Sequence, residues 1–103
     1  MKTMAQIRAD LKAIRYFYSQ KKVFDEVGAL VGVHQVADLA QRYNKVMLTA
    51  SPWLFDLYIG LYVQNRSQQS FADERNFVPG YIQRENDKLV RFLQKNLEEG
   101  GEL

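Results

Sequence analysis

The chain has 103 residues, 47% of them hydrophobic and 25% charged, and its 14 basic and 12 acidic side chains give a net charge of +2. This length and composition predict one domain with a single core. The sequence has no cysteine, which excludes disulfides, iron–sulfur clusters, cysteine-bound zinc and thiol catalysis. One histidine, His34, excludes a multi-histidine metal site, and the sequence has no glycine-rich phosphate loop. We therefore expect a protein that is not an enzyme, with no catalytic residues, no metal and no cofactor.

The hydropathy pattern predicts neither a membrane span nor export. The uninterrupted apolar runs are only a few residues long, too short for a transmembrane helix. The amino terminus turns polar before the apolar core of a signal peptide could form. The expected location is the cytoplasm.

The first half of the chain has the apolar spacing of helices. Thr3 and Gln6 match a capping box, in which each side chain satisfies the other residue's backbone N–H group. Apolar residues then recur at steps of three and four, first at Met4, Ile7, Leu11, Ile14 and Tyr18. A second stripe consists of Val33, Val36, Leu39 or Ala40, Tyr43, and Val46 with Met47. Polar residues 20–22 interrupt the first helix, which is either one bent helix or two. Residues 1–50 are predicted to form a helical hairpin extension.

Ser51 and Pro52 predict the start of another helix, with serine as the N-cap and proline at the first helical position. Apolar and aromatic residues fill this helix, at Trp53, Leu54, Leu57, Tyr58, Leu61 and Tyr62. It ends at the polar residues 64–66.

Two helices separated by a short turn follow. Ser67 caps a short helix over 68–75, and Asn76 tolerates the left-handed backbone that ends a helix. Pro79 then suits the first turn of a longer helix over 79–97, followed by a flexible tail at 98–103. A small residue at mid-helix, Ala72, would let the two helices cross closely. This spacing is that of a helix-turn-helix.

Segments 57–63 (LYIGLYV), 67–72 (SQQSFA) and 77–82 (FVPGYI), followed by 86–89 (NDKL), resemble the C-terminal DNA-binding region of bacterial sigma factors. They are also similar to the small sigma-like regulators of phages of Gram-positive bacteria. Arg75 replaces a usual leucine, and Val78 replaces a usual serine or threonine cap. The resemblance implies an all-α fold in which an N-terminal helical hairpin precedes a sigma-like helix-turn-helix core at 51–97.

The function implied by the resemblance is that of a phage- or prophage-encoded transcriptional regulator that binds double-stranded DNA, with host RNA polymerase as a further partner. Helix 79–97 would enter the major groove, and the helix before it would cross the backbone. Arg84 could bind guanine and Gln83 adenine, with Tyr81 and Lys88 as further base or phosphate contacts. The expected phosphate contacts of the first helix are Gln68, Gln69 and Arg66. Asp87 is unfavourable near phosphate unless it pairs with Arg91 or accepts a hydrogen bond from a cytosine.

Charge and aromatic content leave alternatives open. Residues 64–103 contain six basic and seven acidic side chains, whereas residues 1–63 contain eight and five. This near-neutral second half favours an alternative function, a small helical protein–protein interaction module (an inhibitor or adaptor) that does not bind DNA. One group of aromatic residues either belongs to the core and its amphipathic rim or forms a surface for a partner or a homodimer. The group consists of Tyr16, Phe17, Tyr18 and Phe24. A basic run in the first helix is either a solvated face or an added contact to the DNA backbone, and it consists of Arg8, Lys12, Arg15, Lys21 and Lys22.

Overall fold

The computed structural model describes residues 2–26 and 33–101, with their side chains except at 23–25, 33–34 and 98–101. The described residues form helices and no strands, which confirms the predicted all-α class. The helices are α1 (Met4–Ser19), α2 (Lys21–Glu26), α3 (Val33–Met47), α4 (Pro52–Tyr58), α5 (Gln68–Arg75) and α6 (Pro79–Gly101). A π-helical segment (Ile59–Val63) continues α4.

The predicted helix starts in the first half of the chain are confirmed. The Thr3 hydroxyl accepts from the Gln6 backbone N–H at 3.1 Å, and the Gln6 side chain accepts from the Thr3 N–H at 2.8 Å. Ser51 caps α4, with Pro52 at its first position. The helix is interrupted at Gln20, so this part of the chain forms two helices, α1 and α2, rather than one bent helix.

One core lies between α1, α3, the α4–π segment and α6, and α5 closes one end of it through Phe71 and Ala72. The long helix α6 contacts every other major helix, and Leu89, Val90 and Leu93 are fully buried on its inner side. It ends at Gly101 rather than at residue 97, so residues 98–101 of the predicted tail belong to the helix. Within residues 2–26 and 33–101, no helix combines the length and the apolar character that a membrane crossing requires.

The π-helical segment departs from the predicted regular helix. The backbone N–H of Gln64 donates to the Ile59 carbonyl at 2.8 Å, which widens the last turn by one residue. Gly60 lies in this segment, and its missing side chain admits the ring of Phe71 from α5. A Cβ atom at Gly60 would lie within 2.6 Å of Phe71 Cδ2. Glycine is therefore required here for the close approach of α5.

Polar contacts between helices accompany the apolar core. The Tyr43 hydroxyl on α3 donates to Asp10 of α1 at 2.6 Å, and Lys2 forms an ion pair with the same carboxylate. The Tyr58 hydroxyl donates to the Asn44 side chain at 2.6 Å. Burial raises the pKa of Tyr43 and of Tyr58 above the ordinary tyrosine value, and at Tyr43 the Asp10 contact adds to the effect.

Candidate nucleic-acid interface

The corner between α5 and α6 forms from local signals in the sequence. The Ser67 hydroxyl caps α5 by accepting from the Ser70 N–H at 3.0 Å. Asn76 ends α5 in the left-handed conformation, with φ 62°. The Phe77 N–H then donates to the Ala72 carbonyl at 2.8 Å, and α6 begins at Pro79. The predicted bounds of α5 and the predicted start of α6 are those that the structure has.

Aromatic rings support the turn and the first residues of α6. The Phe77 ring lies 5.8 Å from that of Trp53 and 4.9 Å from that of Tyr81. Phe77 is nevertheless 38% exposed, and the neighbouring Val78 is 65% exposed. Tyr81, predicted as a DNA contact, is half-buried and stacks on Trp53 with ring centroids 6.4 Å apart. Tyr81 is therefore partly exposed to solvent and also helps to position the start of α6.

The predicted base and phosphate contacts Gln83, Arg84 and Lys88 are all exposed. Lys88 Nζ forms an ion pair with Glu85 Oε2 at 2.8 Å, and Trp53 Nε1 donates to the other oxygen of that buried carboxylate at 2.8 Å. The hydrogen bond from Lys88, followed by that from Trp53, lowers the pKa of Glu85. Lys88 is thus bound by a carboxylate of its own helix, that of Glu85.

Two of the residues predicted to contact phosphates, on α5 and just before it, are bound by neighbouring side chains of the protein. Arg66 forms an ion pair with Glu74, and the Gln69 side chain donates to Asp73 at 2.9 Å. Gln68 is half-buried. A phosphate group would have to replace the protein partners of Arg66 and Gln69.

Asp87 has a partner other than Arg91, the residue with which it could pair on its own helix. Its carboxylate accepts from Arg8 of α1 at 2.7 Å instead of pairing with Arg91. Asp87 lies on the side of α6 that α1 approaches, so a cation from a distant part of the sequence reaches it first. Arg91 therefore stays available on the outer side of α6.

Four cations form a row along the outer side of α6, opposite its buried residues. They are spaced by four, three and four residues, which places them on one helical face, and all are exposed: Arg84, Lys88, Arg91 and Lys95. We call this set the α6 cation row. Sequence reasoning named only Arg84 and Lys88 as contacts, although continuing the same spacing would have found Arg91 and Lys95.

The predicted partner surface is not one exposed patch. Tyr16 is 61% exposed, but Phe17 is only 8% exposed because it continues the inward stripe of Ile7, Leu11 and Ile14. Tyr18 is half-buried, and its hydroxyl accepts from Asn44 at 2.9 Å. The side chains of Phe24 and of the lone histidine lie outside the described residues. The prediction of a shared surface is therefore wrong for Phe17, which belongs to the core.

Comparison with protein-family models, with curated proteins and with solved structures finds no match to this chain. A function must therefore be inferred from the chemistry of the surface. Its most distinctive feature among the described residues is the α6 cation row next to the α5–α6 corner.

Proposed function

We propose that the protein is a DNA-binding transcriptional regulator that places the outer side of α6 in the major groove of double-stranded DNA. The α6 cation row carries this proposal. Arg84 and Lys95 are about 16 Å apart along the helix axis, a length over which phosphates recur on both strands of B-DNA. An α-helix fits the major groove, and cations along its outer side would meet the phosphates that line the groove.

The near-neutral charge of the second half is compatible with this proposal because the carboxylates at 73–87, whose side chains the structure describes, all have partners. Glu74 pairs with Arg66, Glu85 with Lys88, and Asp87 with Arg8, while Asp73 accepts from Gln69. In the described residues, no carboxylate pairs with Arg84, Arg91 or Lys95. The positive charge on the outer side of α6 is therefore larger than a count over the sequence indicates.

The first turns of α6 supply the groups for base recognition. Gln83 and Arg84 are exposed close to the start of the helix, and both residue types form bidentate contacts in the major groove, glutamine with adenine and arginine with guanine. Arg91 and Lys95 lie further along the helix and would contact phosphates. The proposal thus separates sequence preference, at the start of α6, from general affinity, along its length.

The exposed turn favours a second candidate function, a protein–protein interaction module. Phe77 and Val78 expose apolar surface at the corner, and apolar side chains of this kind contact protein partners. RNA polymerase contact, which the sigma-like pattern implies, would use such a surface. Affinity for DNA that falls steeply with salt distinguishes the two candidates.

Fluorescence anisotropy with a labelled duplex of mixed sequence tests the proposal. Affinity should fall between about 50 and 200 mM salt, and the phosphate contacts of Arg91 and Lys95 alone predict that the slope of log K against log salt is at least as steep as about −1.8, from about −0.9 per contact. Lys95→Gln should make the slope of log K against log salt shallower by about 0.9, and it should weaken binding to all DNA sequences equally. Arg84→Gln should in addition relax the preference found by selection from a random duplex library.

Lys45→Gln is the matched control because it removes the same charge from an exposed position on α3. It should leave the salt slope unchanged. Binding that ignores salt, or an α6 variant that behaves like the Lys45 variant, would contradict the proposal and favour the interaction module.

A further inference from the structure

Helix α1 lies alongside α6 and runs in the opposite direction. Arg8 contacts Asp87, and nearer the start of α1 the Lys2 carbonyl accepts from the Gln94 side chain at 3.1 Å. Residue numbers therefore fall along α1 as they rise along α6. Going forward along α1 from Arg8 leads toward the start of α6, where Gln83 and Arg84 are exposed.

Arg15, further along α1, contacts the segment that precedes α5. It lies about 10 Å beyond Arg8 along α1. Its Nε atom donates to Asn65 Oδ1 at 2.6 Å, and Asn65 has a left-handed backbone with φ 60°. Asn65 lies two residues before Ser67, the cap of α5. The same flank of α1 thus contacts both α6 and the segment that leads into α5.

The charges on α1 are divided between its two flanks. Arg8, Lys12 and Arg15 are spaced by four and three residues and share the flank toward α6 and the π-helical segment. We call these three residues the α1 cation row. Asp10 lies on the other flank, where Tyr43 and Lys2 bind it. Asp87 is the carboxylate between the two cation rows, and Arg8 already neutralises it.

Each α1 cation retains donors for an outside ligand. Lys12 is exposed and has no ion pair in the described residues. Arg8 and Arg15 each show one hydrogen bond, out of five N–H donors in a guanidinium group. The contacts to Asp87 and Asn65 fix the directions of these side chains without using all of their donors.

We propose that the α1 cation row is a second contact surface for DNA, one that binds backbone phosphates flanking the groove occupied by α6. This inference rests on the proposed function, since both surfaces would contact the same duplex. The two rows lie on adjacent antiparallel helices, so one duplex can reach both. The α1 row recognises the backbone and not the bases, because it lies on the helix beside α6 and not on the helix that enters the groove.

The test is the salt dependence of the double variant Lys12→Gln/Arg15→Gln on the mixed-sequence duplex. Because this variant removes two cations that bind phosphate, the slope of log K against log salt should become shallower by about 1.8. The sequence selected from a random duplex library should stay that of the wild type. The matched control is Arg42→Gln/Lys45→Gln, which removes the same charge from α3, the helix that packs against the buried sides of α1 and α6. This control should leave the slope unchanged.

A further variant separates charge from structure. Arg15→Lys, made with Lys12 unchanged, keeps the positive charge but loses the guanidinium contact to Asn65. It should retain most of the slope of log K against log salt. A reduction equal to that of Arg15→Gln would mean that Arg15 acts by positioning Asn65, and it would overturn the proposal. The proposal would also be overturned if the wild type bound DNA but the double variant had the same salt slope as its α3 control. That outcome would leave the proposed function of α6 intact. Failure of the wild type to bind any duplex would instead overturn both proposals.

Discussion

Where side chains are described, the polar groups of the interior all have protein partners, whereas several cations of the two surface rows have none. Inside, every buried side-chain nitrogen and oxygen atom of the described residues has a hydrogen-bond partner. Tyr43 reaches Asp10, Tyr58 reaches Asn44, and Trp53 reaches Glu85. On the surface, Lys12, Arg84 and Arg91 have no ion pair in the part of the chain that is described, although carboxylates are present on neighbouring turns.

The difference separates the groups that hold the fold from the groups available to a ligand. A buried polar atom without a partner costs free energy, so the interior contacts are needed for folding. An exposed cation is hydrated and contributes little to stability. Substitutions in the interior should therefore change unfolding, and substitutions in the cation rows should change binding.

The largest effect is expected where α5 approaches the π-helical segment. Gly60→Ala would place a methyl group against the buried ring of Phe71, and overpacking of this kind costs about 1–3 kcal/mol of unfolding free energy. Urea denaturation followed by circular dichroism measures this loss. Adding Phe71→Leu should recover part of it, because the two substitutions share one contact.

Gly80→Ala is the matched control for Gly60→Ala. The nearest atom to a Cβ at Gly80 is Arg84 Nη1 at 3.6 Å, an ordinary contact with a flexible side chain. Alanine also favours helix over glycine, so stability should be unchanged or rise by up to about 1 kcal/mol. Equal destabilisation by the two alanines would show that the close approach at Gly60 does not matter.

A second prediction concerns the buried tyrosines at alkaline pH. Burial first, and then the contact with Asp10, raise the pKa of Tyr43 in the folded protein, while in the unfolded chain it ionises near pH 10. Its contribution to stability is complete below about pH 10 and is lost as the pH rises further. Above this pH each such tyrosine lowers the unfolding free energy by about 1.4 kcal/mol per pH unit.

Tyr43→Phe should therefore flatten the alkaline decline by about 1.4 kcal/mol per pH unit, in urea titrations between about pH 9 and 12. At neutral pH the same variant should lose about 1 kcal/mol with its hydrogen bond. Tyr16→Phe is the control, because Tyr16 is mostly exposed and lies outside the core. An unchanged alkaline slope in Tyr43→Phe would contradict the prediction.

The sequence predicts those parts of the fold that local chemistry determines. The capping box at Thr3, the serine caps at Ser51 and Ser67, and the left-handed Asn76 each act within a few residues, and each is found where it was expected. Apolar spacing likewise identifies the inward face of each long helix. These features depend on short-range geometry that the order of residues specifies directly.

Contacts between distant residues could not be predicted in the same way. Arg8 and Asp87 are 79 positions apart, and only the packing of α1 on α6 brings them together. Phe17 belongs to the core because of the direction in which α1 packs, which the cluster of aromatic residues does not reveal. The close approach of Phe71 to Gly60 likewise joins two separate helices. The sequence offers the basic run of α1 as one possible contact to the DNA backbone, but the position of these cations beside α6 follows only from tertiary contacts.

The smallest effect on stability is expected in the α6 cation row. Arg91→Ala and Lys95→Ala remove exposed side chains that have no ion pair in the described residues, and alanine is a strong helix former. Each should change the unfolding free energy by less than about 0.5 kcal/mol, as measured by urea denaturation beside Gly60→Ala. Their DNA affinity should nevertheless fall, whereas Gly80→Ala, on the same helix, should retain it. If either variant lost stability comparable to that of the interior variant, the row would be part of what holds α6 in place. The separation between folding groups and binding groups would then be wrong for that helix.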